Sequence, residues 1–209
     1  MRISKHVHSC LLIEEENKTI LIDPGIYTHE EKALDVNSLK KLDYLLITHE
    51  HQDHMHIPFI KELVKKFPRI EIISNASVKK ILKEEGITIS ASNNRFIKIY
   101  NASHEKLPFG LPTPENSLFT VFDRLVHPGD SLSFAKTSKI LALPIQAPWT
   151  SLTAAIEKAK ALKPKVVIPI HDWHWKDTVR KNFYERAKVY LGKFNIDFKG
   201  LETKDSIYL

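Results

Sequence analysis

The sequence predicts an α/β protein in which two mixed β-sheets pack together and are covered by helices. Short apolar or alternating runs, typical of strands, fill the opening of the chain. After Asp130 the pattern changes to strand, helix and strand, which is typical of parallel pairing. No repeat, low-complexity segment or Gly/Ser-rich linker interrupts the chain, so we expect one domain over residues 1–209.

The first half of the chain is predicted to contain five strands and two helices. The run YLLIT at 44–48 is continuously apolar between polar residues, as expected of a strand buried on both faces. Residues 58–67 have helical apolar spacing. Gly86 can end the next helix, which Asn75 or Ser77 can cap. The predicted strands are 2–7, 10–14, 19–22, 44–48 and 70–74.

The second half is predicted to alternate more regularly. Two β regions are expected at 96–100 and 117–127. They are followed by the strand KILALPI, the helix SLTAAIEKAKAL and the strand KVVIPI. A last helix over roughly 176–190 and a closing strand near the C-terminus complete the prediction.

The composition allows a sizeable core and favours a soluble, cytoplasmic protein. Hydrophobic residues make up 43% of the 209 residues, enough for one core. No stretch approaches the ~20 apolar residues that span a bilayer, so no membrane partner is expected. The single cysteine, Cys10, excludes an internal disulfide and lies in an apolar run, where we expect a buried, inert thiol.

The charge is a weak guide to partners, whereas the histidine content is informative. A net charge of +6 and a pI near 9.2 are compatible with nucleic-acid or phosphorylated partners. However, lysine pairs at 40–41, 65–66 and 79–80 fall within or just before predicted surface helices, where lysine usually keeps a face solvated. The chain has 11 histidines but only two methionines and one cysteine, and imidazole is the commonest metal ligand.

The segment THEHQDH at 48–54 carries the chemistry, because it places three histidines and an aspartate directly after a buried strand. In extended chain, positions two apart face the same way, so His49 and His51 can offer their imidazoles to one ion. Asp53 and His54 fall where the chain turns and can bind a second ion. An HxHxDH motif is expected by chance in only about one such chain in a thousand. The segment therefore predicts a binuclear metal site.

With these residues the chain resembles the metallo-β-lactamase superfamily, and more closely its small branch of UlaG-like metal-dependent hydrolases. The resemblance begins at HVHSCLLIEEENKTILIDPG and continues through LLITHEHQDH, NASHEKLPFG and HPGDSL. It ends with APWTSLTAAIEKAKALKPKVVIPIHDWH and so covers almost the whole chain. It implies an αββα sandwich that forms a single metallo-β-lactamase-like hydrolase domain.

The resemblance also implies the ligands of two metal ions. In that family the first ion takes two histidines of the motif and one from a later loop. The second takes the aspartate and last histidine of the motif and a histidine after a late strand, and a carboxylate from a Gly-Asp turn bridges both. The matching residues here are His49, His51 and His104, then Asp53, His54 and His171, and finally Asp130.

Two details leave the third histidine open. The family often has glycine before it, whereas this chain has Ser103. His127 is the rival ligand if the alignment is shifted, although a surface histidine at a strand end is the expected role for it.

Further residues are candidates for the surroundings of the metals. Asp23 matches a family aspartate that holds a ligand imidazole by its other ring nitrogen, with a simple turn aspartate as the alternative. His8 matches a histidine often found in the UlaG-like branch and can line the pocket or be an ordinary strand residue. For Trp149 and Asp172, as for Trp173, His174 and Trp175, the sequence does not separate pocket wall from core.

The expected activity is hydrolysis. Two ions about 3.5 to 4 Å apart bind a water and lower its pKa toward ~7, which supplies hydroxide to attack an ester, lactone, amide or phosphoester bond of a small molecule. The catalytic residue is Asp53, which can orient the hydroxide and pass a proton to the leaving group. Nitrogen and oxygen ligands without cysteine favour zinc, with manganese or iron as alternatives.

Other functions remain as alternatives. A metal-dependent ribonuclease or phosphodiesterase has only the basic charge in its favour, and the chain has no room for the extra domain of larger RNA-processing relatives. A non-hydrolytic iron redox enzyme or a metal-binding protein would share the fold. The six glycines form no GxGxxG, GxxxxGK or GxSxG pattern, which argues against dinucleotide, P-loop or serine-hydrolase chemistry. The sequence does not determine the oligomeric state, but a homo-oligomer is compatible with relatives that often assemble.

Overall fold

A computed structural model describes residues 1–89 and 93–209 of the chain, which form two compact units. The first unit consists of Met1–Ser92 with Glu202–Leu209, and the second of Asn93–Leu201. Each unit contains one six-stranded mixed sheet and its own helices. The predicted fold class, with two mixed sheets flanked by helices, is therefore confirmed. That the whole chain is a single domain stays a prediction.

The element bounds agree with the predicted ones to within a few residues. The strands are β1 Arg2–Lys5, β2 Leu11–Glu15, β3 Lys18–Ile22, β4 Tyr44–Leu46, β5 Glu71–Ile73, β6 Ile97–Asn101, β7 Ser117–Val121, β8 Leu125–His127, β9 Ile140–Pro144, β10 Val166–Ile170, β11 Asp197–Phe198 and β12 Ser206–Tyr208. The helices are α1 Ile26–Glu30, α2 Ile57–Lys66, α3 Ala76–Glu84, α4 Leu152–Leu162 and α5 Asp177–Gly192.

The first sheet has the order β12-β1-β2-β3-β4-β5. Pairing is antiparallel from β12 to β3 and parallel from β3 to β5. A two-residue turn joins β2 to β3, and its residues Glu16 and Asn17 both have positive φ, as a type I′ hairpin requires. Because β1 and β3 run in the same direction as β4, the carboxyl ends of all three strands lie at one edge of the sheet.

Helices α2 and α3 pack on this sheet, and a hydrophobic core lies between the helices and the sheet. Phe59 and Leu63 of α2 are fully buried in a cluster with sheet residues such as Leu45. Asn75 caps α3 by accepting a hydrogen bond from the Val78 N–H, so the cap is Asn75 rather than Ser77. The apolar spacing along α2 and α3 thus fixes which face of each helix is buried.

The second sheet has the order β11-β10-β9-β8-β7-β6. Strands β8 to β11 are parallel, whereas β6, β7 and β8 pair antiparallel. Helix α4 connects β9 to β10, and its N-cap Ser151 accepts a hydrogen bond from the Ala154 N–H. Since β6 and β8 run in the same direction as β10, the carboxyl ends of these strands share one edge.

Three features differ from the prediction or were not predicted. The β region 117–127 is two strands, because Phe122 and Asp123 have positive φ and turn the chain between β7 and β8. The two-residue strand β11 is too short to leave a sequence pattern. Helix α1 has five residues, fewer than two helical turns.

Among the described residues, no helix is both long and apolar enough to cross a membrane. A cytoplasmic location stays a prediction.

Candidate metal centre

The HxHxDH motif lies directly after β4, at the edge of the first sheet where β1 and β3 also end. His8 follows β1 and Asp23 follows β3, so the sheet brings both close to the motif. We call His8, His49, His51, Asp53 and His54 the motif cluster. His49 and His54 are fully buried, whereas the Asp53 side chain is 23% exposed.

Asp23 forms hydrogen bonds with Thr48 and with His54 of the motif cluster. It is fully buried, and its carboxylate accepts hydrogen bonds from the Thr48 N–H and hydroxyl, each at 2.8 Å. Its Oδ2 also accepts from Nδ1 of His54 at 2.7 Å. The Asp23 backbone has a φ of 50°, a left-handed conformation that costs energy in a non-glycine residue. This hydrogen bond is the contact that an imidazole-holding aspartate would make, and that role of Asp23 stays a prediction.

His49 and His51 have a spacing that suits one shared ion. The Thr48 hydroxyl proton points to Asp23, so its oxygen accepts from Nδ1 of His49 at 3.0 Å. The lone pair of His49 is then on Nε2, which lies 3.1 Å from Nδ1 of His51. Two nitrogens bound to one tetrahedral zinc ion at the usual bond length are about 3.3 Å apart. The pair therefore fits two ligands of a single ion.

Asp53 lies between two histidines of the motif cluster. Its Oδ2 is 3.1 Å from Nε2 of His8 and 3.7 Å from Nε2 of His54. One ligand atom from each of these three residues lies within 4.8 Å of the others, which is compatible with a common ion. His8 is buried and has a positive φ of 57°. It faces the site and is not an ordinary strand residue.

Sequence reasoning missed Tyr27 and Thr48. The Tyr27 ring meets the His8 ring edge to face, with centroids 5.4 Å apart. Burial, followed by the negative charge of Asp53, raises the pKa of Tyr27, so the phenol keeps its proton at neutral pH. No sequence signal identifies Tyr27, since only the turn after β3 brings it there. Thr48 had a signal, because it immediately precedes the motif.

Gly25 allows the turn after β3 to lie directly against the motif. A Cβ atom at this position would be 1.8 Å from the Asp53 carbonyl oxygen and 2.7 Å from the His54 nitrogen. The adjacent Ile26 N–H donates to the Gln52 carbonyl at 2.7 Å. The absence of a side chain at Gly25 therefore sets the position of Asp53.

The second unit gathers the other three predicted ligands, which we call the three-loop cluster: His104, Asp130 and His171. They follow β6, β8 and β10, whose carboxyl ends share an edge of the second sheet. Oδ2 of the buried Asp130 is 3.5 Å from Nε2 of His104 and 3.3 Å from Nε2 of His171. One carboxylate between two imidazoles is the arrangement expected of a bridging ligand.

Backbone carbonyls orient both histidines of the three-loop cluster. Nδ1 of His104 donates to the Glu105 carbonyl and Nδ1 of His171 to the Gln146 carbonyl, each at 2.6 Å. A carbonyl can only accept, so a neutral imidazole there carries its proton on Nδ1 and its lone pair on Nε2. Two lone-pair atoms then face the Asp130 carboxylate, and a cation held among them would make this arrangement favourable. The donor set therefore fits a divalent metal.

Trp149 and Asp172, both near the three-loop cluster, have different surroundings. The Trp149 ring meets His171 with centroids 5.4 Å apart and His104 at 6.0 Å, so it lies beside the site. Asp172 is buried and accepts a hydrogen bond from the Tyr184 hydroxyl of α5, which ties it to the helix.

Two other predictions concern buried side chains. The prediction that His127 lies at the surface is wrong. His127 is fully buried, and its Nδ1 accepts a hydrogen bond from the Gly129 N–H at 3.3 Å. The strand end at β8 is covered, which the sequence alone did not reveal. Cys10 is buried as predicted, and burial raises the pKa of its thiol far above the usual range, which leaves it inert.

Comparison with known proteins identifies the family to which this fold and its two clusters belong. A family model described as a beta-lactamase superfamily domain matches residues 2–171. The chain therefore belongs to the beta-lactamase superfamily, within which the sequence resemblance is to the metallo-β-lactamases.

Individual relatives agree with this assignment. Protein Rv0786c of Mycobacterium tuberculosis is 28% identical over 82% of this chain and 84% of its own length. A UPF0173 metal-dependent hydrolase of Staphylococcus aureus is 27% identical over 82% of this chain and 85% of its own. The solved structure of Igni18, a metallo hydrolase from Ignicoccus hospitalis, has the same fold, with a TM-score of 0.74 and 20% sequence identity. The match covers 99% of this chain and 97% of the Igni18 chain.

Proposed function

We propose that this protein is a metal-dependent hydrolase of small molecules. The observation that carries the proposal is the orientation of four imidazoles. His49, His54, His104 and His171 each turn Nδ1 to an oxygen atom, which leaves Nε2 as the ligand atom. Relatives named as metal-dependent hydrolases support the same conclusion.

We assign the ligands as the resemblance implies. In this assignment His49, His51 and His104 would hold a first ion and Asp53, His54 and His171 a second, with Asp130 as a ligand of both. The spacing of 3.1 Å between the ligand nitrogens of His49 and His51, and the position of Asp130 beside two imidazoles, support this assignment within each unit. Zinc is the first choice for this nitrogen and oxygen donor set, with manganese and iron as alternatives.

When bound, the ions supply a water of lowered pKa and polarise the carbonyl or phosphoryl oxygen of the substrate. The residues of the chain supply position and proton transfer. Asp53 is the partly exposed carboxylate of the motif cluster, and His8 holds its Oδ2 in place at 3.1 Å. Asp53 therefore accepts the proton of the attacking water and passes it to the leaving group. The Tyr27 ring packs against His8 on this side of the site.

The scissile bond is an ester, lactone, amide or phosphoester, and within the superfamily we place the chain in the UlaG-like branch. Trp149 gives the site an apolar wall beside His104 and His171. Such a wall suits a small organic substrate.

The test is elemental analysis of the purified protein, followed by a panel of model esters, lactones, amides and phosphoesters. We expect two equivalents of metal, hydrolysis of at least one class, loss of activity with a chelator and recovery with zinc or manganese. Equal turnover by metal-free protein would refute the proposal. RNA cleavage that weakens steeply with salt would instead favour the ribonuclease, and recovery with iron alone together with oxidised products the redox enzyme.

A further inference from the structure

A cavity of about 460 Å³ in the first unit is lined by none of the candidate metal ligands. Its volume is in the range of small-molecule sites. We call it the His6 cavity. Four cationic side chains line it, with Glu14 as the only carboxylate among its described lining residues: Arg2, Lys40, Lys41 and Lys204. Acidic residues outnumber Lys and Arg in the first unit as a whole, so this positive lining is a local feature.

Two of these cations are available to a ligand. Arg2 donates to Glu14 at 2.6 Å, and the Lys41 ammonium donates to the Asn17 carbonyl at 2.5 Å. Within the part of the chain that the structure describes, the ammonium groups of Lys40 and Lys204 have no hydrogen-bond or ion-pair partner. Two unpaired monocations facing one cavity match a dianion better than a monoanion.

His6 adds a hydrogen-bond acceptor to the same cavity. The residue is 8% exposed, and its Nδ1 donates to the Ala33 carbonyl at 2.9 Å. Its Nε2 is buried and has no hydrogen-bond partner among the described residues. The Ala33 carbonyl can only accept a hydrogen bond, so a neutral His6 ring carries its proton on Nδ1. Nε2 then carries a lone pair that a hydroxyl group can satisfy.

We propose that the His6 cavity binds a small phosphate monoester that carries a free hydroxyl group. The phosphate dianion pairs with Lys40 and Lys204, and the hydroxyl donates to Nε2 of His6. The hydroxyl oxygens of Ser4 and Ser206, which are 3.1 Å apart in the wall, add polar contacts.

An extended polyanion such as RNA fits less well. It would have to continue into a neighbouring cavity of about 480 Å³ that shares Lys40 and Lys41. The cations there are mostly engaged: Lys18 and Lys41 pair with Asp43, and Lys66 donates to two backbone carbonyls. Arg69 is the one lining cation there, besides the shared Lys40, without such a partner among the described residues. Of the two cavities, the His6 cavity alone adds a buried, unpartnered imidazole nitrogen, which suits the hydroxyl group of a small ligand.

The first test is calorimetric titration of the full-length, metal-loaded protein with glycerol 3-phosphate. We expect binding at one site, with the affinity reduced at least tenfold in the double variant Lys40→Gln/Lys204→Gln. The matched double variant Lys79→Gln/Lys83→Gln, in exposed lysines of α3, should bind like the wild type. Asp53→Ala should also retain binding, because Asp53 belongs to the candidate metal centre and not to this cavity.

The second test separates the hydroxyl contact from the phosphate contact. Methyl phosphate has no hydroxyl, so it should bind the wild type more weakly than glycerol 3-phosphate does, and His6→Phe should remove this difference. Glycerol 3-phosphate should also shift the Nε2 resonance of His6 in the wild-type protein, a readout that does not depend on how the variant folds. Any of four results would overturn the proposal: no binding to the wild type, unchanged binding in Lys40→Gln/Lys204→Gln, loss of binding in Asp53→Ala, or binding of short RNA in place of glycerol 3-phosphate.

Discussion

The two units build their candidate ligands in different ways. The motif cluster takes four of its five residues from one loop after β4, and a neighbouring strand end supplies His8. The three-loop cluster takes one residue from each of three loops that are far apart in sequence. The first arrangement is encoded locally, whereas the second exists only because β6, β8 and β10 run in the same direction. A local motif can thus be found from spacing, while a distributed cluster requires the strand order.

The largest expected effect concerns Asp53, the proposed proton carrier of the motif cluster. Asp53→Ala should lower kcat/KM by about a thousandfold, since general acid and base groups contribute roughly 10² to 10⁴. The fold should survive because the side chain is partly exposed. Steady-state kinetics and circular dichroism measure both, with Glu84→Ala on the surface of α3 as the control. Wild-type turnover by Asp53→Ala would refute the proposed mechanism.

The next effect tests the proposed assignment of His171 and His49 to two different ions. His171→Ala should preferentially lose one of two metal equivalents, because only the second ion is assigned to His171. His49→Ala should preferentially lose the other. Mass spectrometry of the metals in both variants, with turnover measured in parallel, checks the assignment. Equal metal content in His171→Ala and the wild type would contradict it.

A smaller effect, on stability, is expected at Asp23. Asp23→Ala removes three hydrogen bonds from a fully buried carboxylate and leaves Thr48 and His54 donors unsatisfied. The expected loss is about 3 kcal/mol in the free energy of unfolding, measured in urea. Metal affinity should fall about 10- to 100-fold, because the imidazole is no longer oriented. Asp23→Asn keeps one acceptor oxygen, so its free energy of unfolding should lie between those of Asp23→Ala and the wild type. If Asp23→Ala is as stable as the wild type, Asp23 is only a turn residue.

The smallest effect tests the close approach at Gly25. Gly25→Ala should cost about 2 kcal/mol, because the new Cβ would overlap the Asp53 carbonyl and the loop must move. Gly192→Ala is the control, since a Cβ there meets no atom within 4 Å. Thermal unfolding compares the two variants. Equal stability of both would show that the turn at Gly25 does not position Asp53.

The sequence was most informative where one local pattern decides the structure. The apolar run before the motif became β4, Asn75 caps α3, and the residue types and spacing of the motif pointed to its candidate ligands. These features depend on neighbours within a few residues, which a single sequence contains.

The remaining features depend on tertiary contacts. The position of Tyr27 beside His8 requires the turn after β3, and the burial of His127 requires the covered end of β8. The close contact of Gly25 with Asp53 joins two loops that are far apart in sequence. His104 and His171 became candidate ligands only through the resemblance to a family, because nothing in their own sequence neighbourhoods distinguishes them from other histidines.

The most direct test of the proposed shared site is anomalous X-ray scattering from crystals of the zinc-loaded protein. We predict two peaks, one coordinated by His49, His51 and His104 and the other by Asp53, His54 and His171, with Asp130 bound to both. Zinc held only by residues of one unit, or found away from both clusters, would contradict the account.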